Sequence, residues 1–377
     1  MGDDHAMQTE AACSILTIDL TAVTDNWRLL RDRAAPAACA AVVKADAYGL
    51  GIDPVAPALA DAGCTLFFVA TLDEGLRLRG LLPQVEVAVL GGLLPGTAPI
   101  FLRDRLIPVL NDLGQVERWR AETAKAGQAA PAILHVDTGM NRLGLDPQET
   151  EKLAADPALL EGIEITYVMT HMACPDEPSH PLNAAQLTRF RAALAAVQGA
   201  LPGAKGSLAA SSAIFLGPDY HFDLVRPGAA LYGVNPTPGA PNPMRQAVRL
   251  EGRVLQVRHV DRGEGVGYGA TRRCDKPSKI ATVATGYADG YLRALSNHGV
   301  ARIAGHEVPM IGRVSMDLLT FDVTDLPEGL VYPGGLMELL GEGYTPDDAA
   351  RDAGTIGYEI LTSLGNRYAR HYIGAGA

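Results

Sequence analysis

Between residues 40 and 233 short apolar runs alternate with segments of helical spacing, and this rhythm limits the possible folds more than any other feature of the chain. The runs cover 40–44, 65–71, 85–90, 106–110, 132–137, 163–171, 207–211 and 224–233. In the segment 54–62, Val55, Leu59 and Ala62 share one helical face; in 183–197, Leu187, Phe190, Leu194 and Val197 do. Strands that are apolar throughout and separated by helices predict a parallel sheet buried on both faces. Eight such units in roughly 200 residues fit a (β/α)8 TIM-type barrel. An open doubly wound sheet is the alternative.

The rhythm changes at the proline- and glycine-rich cluster PTPGAPNP, which starts at Pro236. Beyond it, short strands without long helices between them are predicted over 248–257, 279–285, 302–304, 307–311, 318–323 and 336–340. They describe a mostly antiparallel C-terminal β domain. Two helices close it. One begins at Thr345-Pro346-Asp347-Asp348, with an N-cap threonine, proline at the first helical position and an acid three residues on. The other covers 355–364. The expected division is a disordered or tag-like stretch over 1–14, a barrel over 15–240 and the β domain over 241–377. A strand at 15–20 could join either domain.

Composition removes several classes. The net charge is −11 and no basic run of five appears, so no nucleic-acid partner is expected. The five cysteines are widely spaced without a CxxC pair, which suggests neither a metal site nor a disulfide framework. No run of about 18 apolar residues exists, so no membrane span is expected, and a cytoplasmic location fits.

The unusual polar residues fall near the ends of the predicted barrel strands. Lys44 ends the first, Arg142 follows the fifth, His171 ends the sixth, Ser211 and Ser212 follow the seventh, and Arg226 and Gly228 lie in the eighth. Taken singly, each has an ordinary reading: a surface lysine, a core histidine, a salt-bridged arginine, a helix cap. Together they converge on the rim where barrels of this type carry chemistry and bind phosphate. A lysine, arginines and a phosphate site suggest a Schiff base to pyridoxal 5'-phosphate.

At this point AVVKADAYGLG, over 41–51, resembles the cofactor-lysine signature of the alanine racemases. HVDTGMNRLG, VMTHMACPDE, AASSA, LVRPGAALYG, GVGYGAT, TGYADGY, GRVSMD and TIGYE extend the resemblance in family order. It implies a barrel followed by a β domain, an amino-acid substrate, and a homodimer whose active sites use both subunits. Lys44 would hold the cofactor as a Schiff base and act as one acid/base, with Tyr268 from the partner subunit as the other. Tyr48, Ser212, Gly228 and Tyr358 would hold the phosphate. Arg226 would face the pyridine nitrogen, and His171 would link it to Tyr268. Arg142 would contact the cofactor's phenolic oxygen and the substrate carboxylate. Met316 would add a backbone donor to that carboxylate. Asp176, Tyr287, Arg293 and Arg313 would line the passage into the site. No metal is implied.

These residue types suit racemisation, which removes a proton from one face of the α-carbon and returns one to the other. Tyrosine ordinarily titrates near about 10, so cationic neighbours are needed to make it useful. An arginine at the pyridine nitrogen stays charged and cannot accept its proton. That disfavours a barrel-type decarboxylase, which normally presents an acid there. A serine or broad-specificity racemase and a non-catalytic pyridoxal-phosphate carrier are the other readings. Tyr268, set between glycines, could instead be a hairpin aromatic. Two positions depart from the family pattern. Ser211 stands where asparagine is common. His135 stands where many members carry a lysine modified to a carbamate that orients the arginine. Either water, a small anion or a nearby acid supports Arg142 instead, or His135 simply packs at the strand end.

Overall fold

The computed structural model describes residues 11–374. Residues 1–10 of the expected terminal stretch lie outside the described residues. Ser14 is the buried first residue of a strand, Ser14–Asp19.

Seven strands form one parallel sheet in chain order: Ala41–Val42, Leu66–Val69, Glu86–Val89, Ile107–Leu110, Ala130–His135, Ile163–Met169 and Lys205–Ser207. The eighth, Leu224–Val225, pairs in parallel with Ala38–Cys39, just ahead of the first. Backbone bonds complete the ring. Asp223 N–H reaches Gly206 O at 3.0 Å and Arg226 N–H reaches Ala209 O at 2.9 Å. On the other side, Ala40 N–H reaches Val225 O at 3.0 Å and Val42 N–H reaches Pro227 O at 2.9 Å. The fold is a TIM-type barrel followed by a mostly antiparallel β domain.

The strands are largely apolar because most of their length is covered twice; Glu86, Glu164 and Lys205 are exposed near their N-terminal ends. Val42, Phe68, Ala88, Val109 and Ile133 fill the lumen. Their neighbours Ala41, Phe67, Val87, Leu110 and Leu134 pack in the larger core with helix residues such as Val55, Leu59 and Phe190. Helix Pro181–Ala200 buries the face that the spacing predicts, and Ile52–Asp61 buries Val55 and Leu59, with Ala62 half-buried just past its end. The eighth run is much shorter as a strand than its apolar length. Pro227 has no N–H to continue the ladder, and the chain turns after Gly228 into a 3₁₀ helix, Ala229–Tyr232, closed by Gly233 at φ 89°.

In the second domain the long strand Val248–Val260 is central and runs antiparallel to Ser14–Asp19, Ser278–Val283 and Leu336–Leu340. The first strand of the described chain therefore lies in the C-terminal sheet. A strand absent from the sequence reading, Ala369–Ile373, runs parallel to it at the edge. Helix Pro346–Ala353 starts with a capping box between Thr345 and Asp348. The next helix, Gly357–Ser363, lies against the barrel mouth: a Cβ on Gly49 would stand 2.4 Å from Leu361 O. Among the described residues no helix is long and apolar enough to cross a membrane.

Candidate active site

The site begins with a backbone conformation that L-residues avoid. After Lys44 the chain makes a left-handed turn, with Ala45, Asp46, Ala47 and Tyr48 at φ 53°, 54°, 54° and 56°. Left-handed helical geometry costs roughly 1–2 kcal/mol per non-glycine residue, so the surroundings must impose it. Glu74 accepts from Ala45 N–H and Ala70 N–H, both at 2.7 Å. Asp46 accepts from Ile52 N–H at 2.9 Å and from Arg77 at 3.0 Å. From the far end of the chain, Arg370 donates to Gly49 O at 2.7 Å and Tyr372 to Leu50 O at 3.0 Å. The turn places Lys44 and Tyr48 on one cavity.

That cavity, about 580 Å³, opens at the C-terminal ends of the barrel strands. It brings together Lys44, Tyr48, Arg142, His171, Ser212, Arg226 and Gly228 from the barrel and Tyr358 from the second domain. A depression of about 640 Å³ on the outer helices holds Glu117, Arg120 and Glu161 without such convergence. Among the described residues no carboxylate lines the barrel-mouth cavity, and its charged side chains are the cations Lys44, Arg142 and Arg226. Burial first, then the Arg142 guanidinium, holds the Lys44 amine below the usual lysine range, with Glu74 opposing.

At one end the aromatic hydroxyls gather. Tyr48 packs 4.9 Å from Tyr232 and edge-on to Tyr358 at 6.4 Å, and Ser212 lines the same cavity as Tyr358. Gly228 makes room for them, because a Cβ there would stand 2.4 Å from the Tyr48 hydroxyl. Ser211 carries more than its sequence position suggests. Its Oγ accepts from Gly228 N–H at 3.0 Å and from Ala230 N–H at 3.3 Å, which sets the glycine turn.

Arg226 is 3% exposed, and burial pulls its guanidinium down to about 10. It donates to Ser207 Oγ at 2.5 Å and to Thr170 O at 2.6 Å. The His171 imidazole lines the same cavity but makes no hydrogen bond to Arg226 among the described residues; the carbonyl just before it does that. Burial, then Arg226 and Arg142, pushes His171 down to about 3. His135 Nδ1 hydrogen-bonds Asn111 Oδ1, which can only accept, at 2.7 Å.

The remaining predicted residues stand outside the cavity of their own chain. Tyr268 is 71% exposed and Met316 54%, and Tyr287, Arg293, Arg313 and Asp176 are exposed too. Tyr268, Tyr287 and Met316 belong to one surface. Tyr287 N–H bonds Ser315 O at 3.0 Å, Ala288 N–H bonds Met316 O at 2.9 Å, and a Cβ on Gly269 would stand 3.2 Å from Arg313 Nη1. Met316 N–H has no acceptor among the described residues.

Glu74, Asn111 and Ser207 escaped the sequence reading. The spacing of Thr71 and Glu74, which form a capping box, is the signal that could have found Glu74; nothing in the sequence points to its bonds to Ala45 and Ala70.

The sequence profile of the alanine racemase N-terminal domain matches residues 18–236, and that of the C-terminal domain matches 247–372. An alanine racemase of Rhodospirillum rubrum is 53% identical over 97% of both chains. The chain belongs to the alanine racemase family. A catabolic alanine racemase of Mesorhizobium japonicum is 50% identical over 97% of this chain and 94% of its own. The crystal structure of alanine racemase from Bartonella henselae, with covalently bound pyridoxal phosphate, superposes with a TM-score of 0.91 at 44% identity, covering 96% of this chain and all of that one. Pyridoxal-phosphate-dependent racemisation is the chemistry of this family.

Proposed function

We propose that the chain interconverts L- and D-alanine, with Lys44 serving one face of the α-carbon and Tyr268 of the partner subunit the other. The observation that carries this reading is a Lys44 amine, held below its ordinary pKa and without a hydrogen-bond or ion-pair partner among the described residues, in a cavity lined by buried Arg226 and, among those residues, by no carboxylate. An amine with a lowered pKa is a better nucleophile and a better base near neutral pH.

The residues fit pyridoxal phosphate. The hydroxyls of Tyr48, Ser212 and Tyr358, around a turn that only a glycine at 228 leaves open, offer donors to a phosphate. Lys44 would hold the aldehyde carbon covalently. When bound, the cofactor supplies an electron sink for negative charge at the substrate's α-carbon. Arg142 offers its guanidinium to the substrate carboxylate. Lys44 Nζ takes or returns the α-proton on one face. Arg226 cannot accept a proton, which limits how much charge is drawn away from the α-carbon and favours prompt reprotonation there. The absence of a carboxylate around it speaks against the decarboxylase reading.

The exposed Tyr268–Tyr287–Met316 surface supports a homodimer in which Tyr268 reaches the partner's cavity, since exposed clusters of large apolar side chains mark interfaces. Supply of D-alanine for cell-wall precursors in the cytoplasm is the corresponding role.

The test is an NMR time course of L-alanine in heavy water, with product chirality checked at the end. Loss of the α-proton signal with formation of D-alanine is expected. Run with each enantiomer in turn, Tyr268→Phe is expected to exchange the α-proton of only one of them and to retain its configuration. Full racemisation by that variant would remove Tyr268 from the mechanism, and no exchange with alanine would shift the reading to serine or larger amino acids.

A further inference from the structure

His135 ends the strand Ala130–His135, is 7% exposed, and lines the same cavity as Arg142. Its ring is held in one tautomer by a neighbour that carries no charge. Asn111, 4% exposed, spends its amide nitrogen on two backbone carbonyls, Leu90 O at 3.1 Å and Val109 O at 3.0 Å. Carbonyls only accept, so the Asn111 nitrogen must face them and its Oδ1 must face the imidazole. Oδ1 also only accepts. Nδ1 of His135 therefore carries the proton in the 2.7 Å bond, and Nε2 of the neutral ring keeps its lone pair. Burial, then Arg226 and, against the pull of Asp137, Arg142, pushes this imidazole down to about 4, so the neutral form persists at ordinary pH.

The ring edge away from Nδ1 looks toward the Arg142 loop. A Cβ on Gly144 would stand 3.2 Å from His135 Cδ2, the atom bonded to Nε2. The loop is tied to the same strand end, with Leu145 N–H on His135 O and Asp137 N–H on Leu145 O, each at 2.8 Å. The loop's own carboxylate is already used. Asp137 Oδ1 takes Gly139 N–H at 3.0 Å, Met140 N–H at 2.9 Å and Asn141 N–H at 3.2 Å. Arg142 has no hydrogen-bond or ion-pair partner among the described residues, and Nε2 of His135 has none either.

We infer that His135, fixed as its Nδ1–H tautomer by Asn111, presents Nε2 as a neutral acceptor that positions the Arg142 guanidinium for the substrate carboxylate. This rests on the amino-acid reading of the cavity. A neutral acceptor aims the guanidinium without cancelling its charge, which an anion at the same place would partly do. His135 is thus a positioning residue acting through Arg142.

Two measurements test it. In the full-length protein labelled with ¹⁵N-histidine, long-range ¹H–¹⁵N correlation, with His135→Gln to assign the signal, is expected to show His135 as the Nδ1–H tautomer. An Nε2–H tautomer overturns the inference. In the holoenzyme, binding of L-alanine and of ethylamine, which lacks the carboxylate, is followed by cofactor absorbance. His135→Leu is expected to weaken alanine by about tenfold, the scale of one hydrogen bond to a charged group, and to leave ethylamine nearly unchanged. His135→Gln can donate to Asn111 through its nitrogen and face Arg142 with its oxygen, and is expected to restore most of the loss. Equal losses for both amines, or a glutamine variant no better than leucine, would show a packing role only. Wild type that binds neither amine overturns the racemase reading and this inference with it; wild type that binds alanine while the variants do not discriminate overturns the His135 role alone.

Discussion

Gly228→Ala isolates the fit between the phosphate-side turn and Tyr48. Gly228 has φ −129°, outside the left-handed region, and the effect of the substitution is worked from what the new Cβ meets. The new Cβ would stand 2.4 Å from the Tyr48 hydroxyl, 3.1 Å from its Cζ and 3.3 Å from Val42 Cβ. The first distance is below the 3.0 Å that real Cβ contacts essentially never breach. Tyr48 cannot swing freely away, because it follows the braced left-handed turn and packs on Tyr232 and Tyr358. Overpacking of this kind costs about 1–3 kcal/mol. If Tyr48 yields, the cost appears as weaker cofactor binding, about 5- to 150-fold in Kd. The assay is titration of the apoprotein with pyridoxal phosphate, followed by absorbance. Tyr48→Phe removes the atom at 2.4 Å, so in a double-mutant cycle Gly228→Ala should cost much less on the phenylalanine background. A strictly additive cycle would refute the assignment of the clash to the hydroxyl. An unchanged Kd in the single variant would refute the cradle itself.

Two further outcomes come from the buried groups. Ser207→Ala removes a 2.5 Å partner of the buried Arg226 and should cost roughly 1.5–3 kcal/mol, read from thermal unfolding; a loss below about 0.5 kcal/mol would mean that the Thr170 and Leu208 carbonyls suffice for the guanidinium. His135 and His171 are held down to about 4 and about 3, whereas both titrate near about 6.5 when unfolded. The unfolded chain therefore binds more protons below that value, so stability is complete above it and falls with pH by about 1.4 kcal/mol per unit for each histidine still neutral. His135→Gln should remove one proton from the slope of the apoprotein between about pH 6 and 4, and identical slopes would show that His135 charges normally in the fold.

The barrel was legible because its strands are largely buried on both faces, which writes a mostly apolar run into most units. The eighth run misled in length. Apolarity there reports burial of Ala229, Ala230, Leu231 and Tyr232, but these residues form a 3₁₀ turn once Pro227 ends the ladder. Lys44, Arg142 and Arg226 were legible as cations at or near the ends of the first, fifth and eighth runs. Their partners were not, because a hydrogen-bond acceptor such as Ser207 or Asn111 looks like any other small polar residue until the strands are side by side.

What the sequence determined by itself is local: the strand and helix periods, the lysine signature, and which side chains carry chemistry. What only the tertiary structure decided is long-range. The strand Ala369–Ile373 pairs with Ser14–Asp19, and through Arg370 and Tyr372 it holds the loop after Lys44, more than three hundred residues away in the chain. The tautomer of His135 depends on the carbonyls of Leu90, just past one strand, and Val109, in another. Tyr268, named by its motif, stands exposed and outside the cavity of its own chain. Periodicity is set by neighbours a few residues apart, whereas acceptors, strain and proton positions are set by whichever strands and loops the closed ring brings into contact.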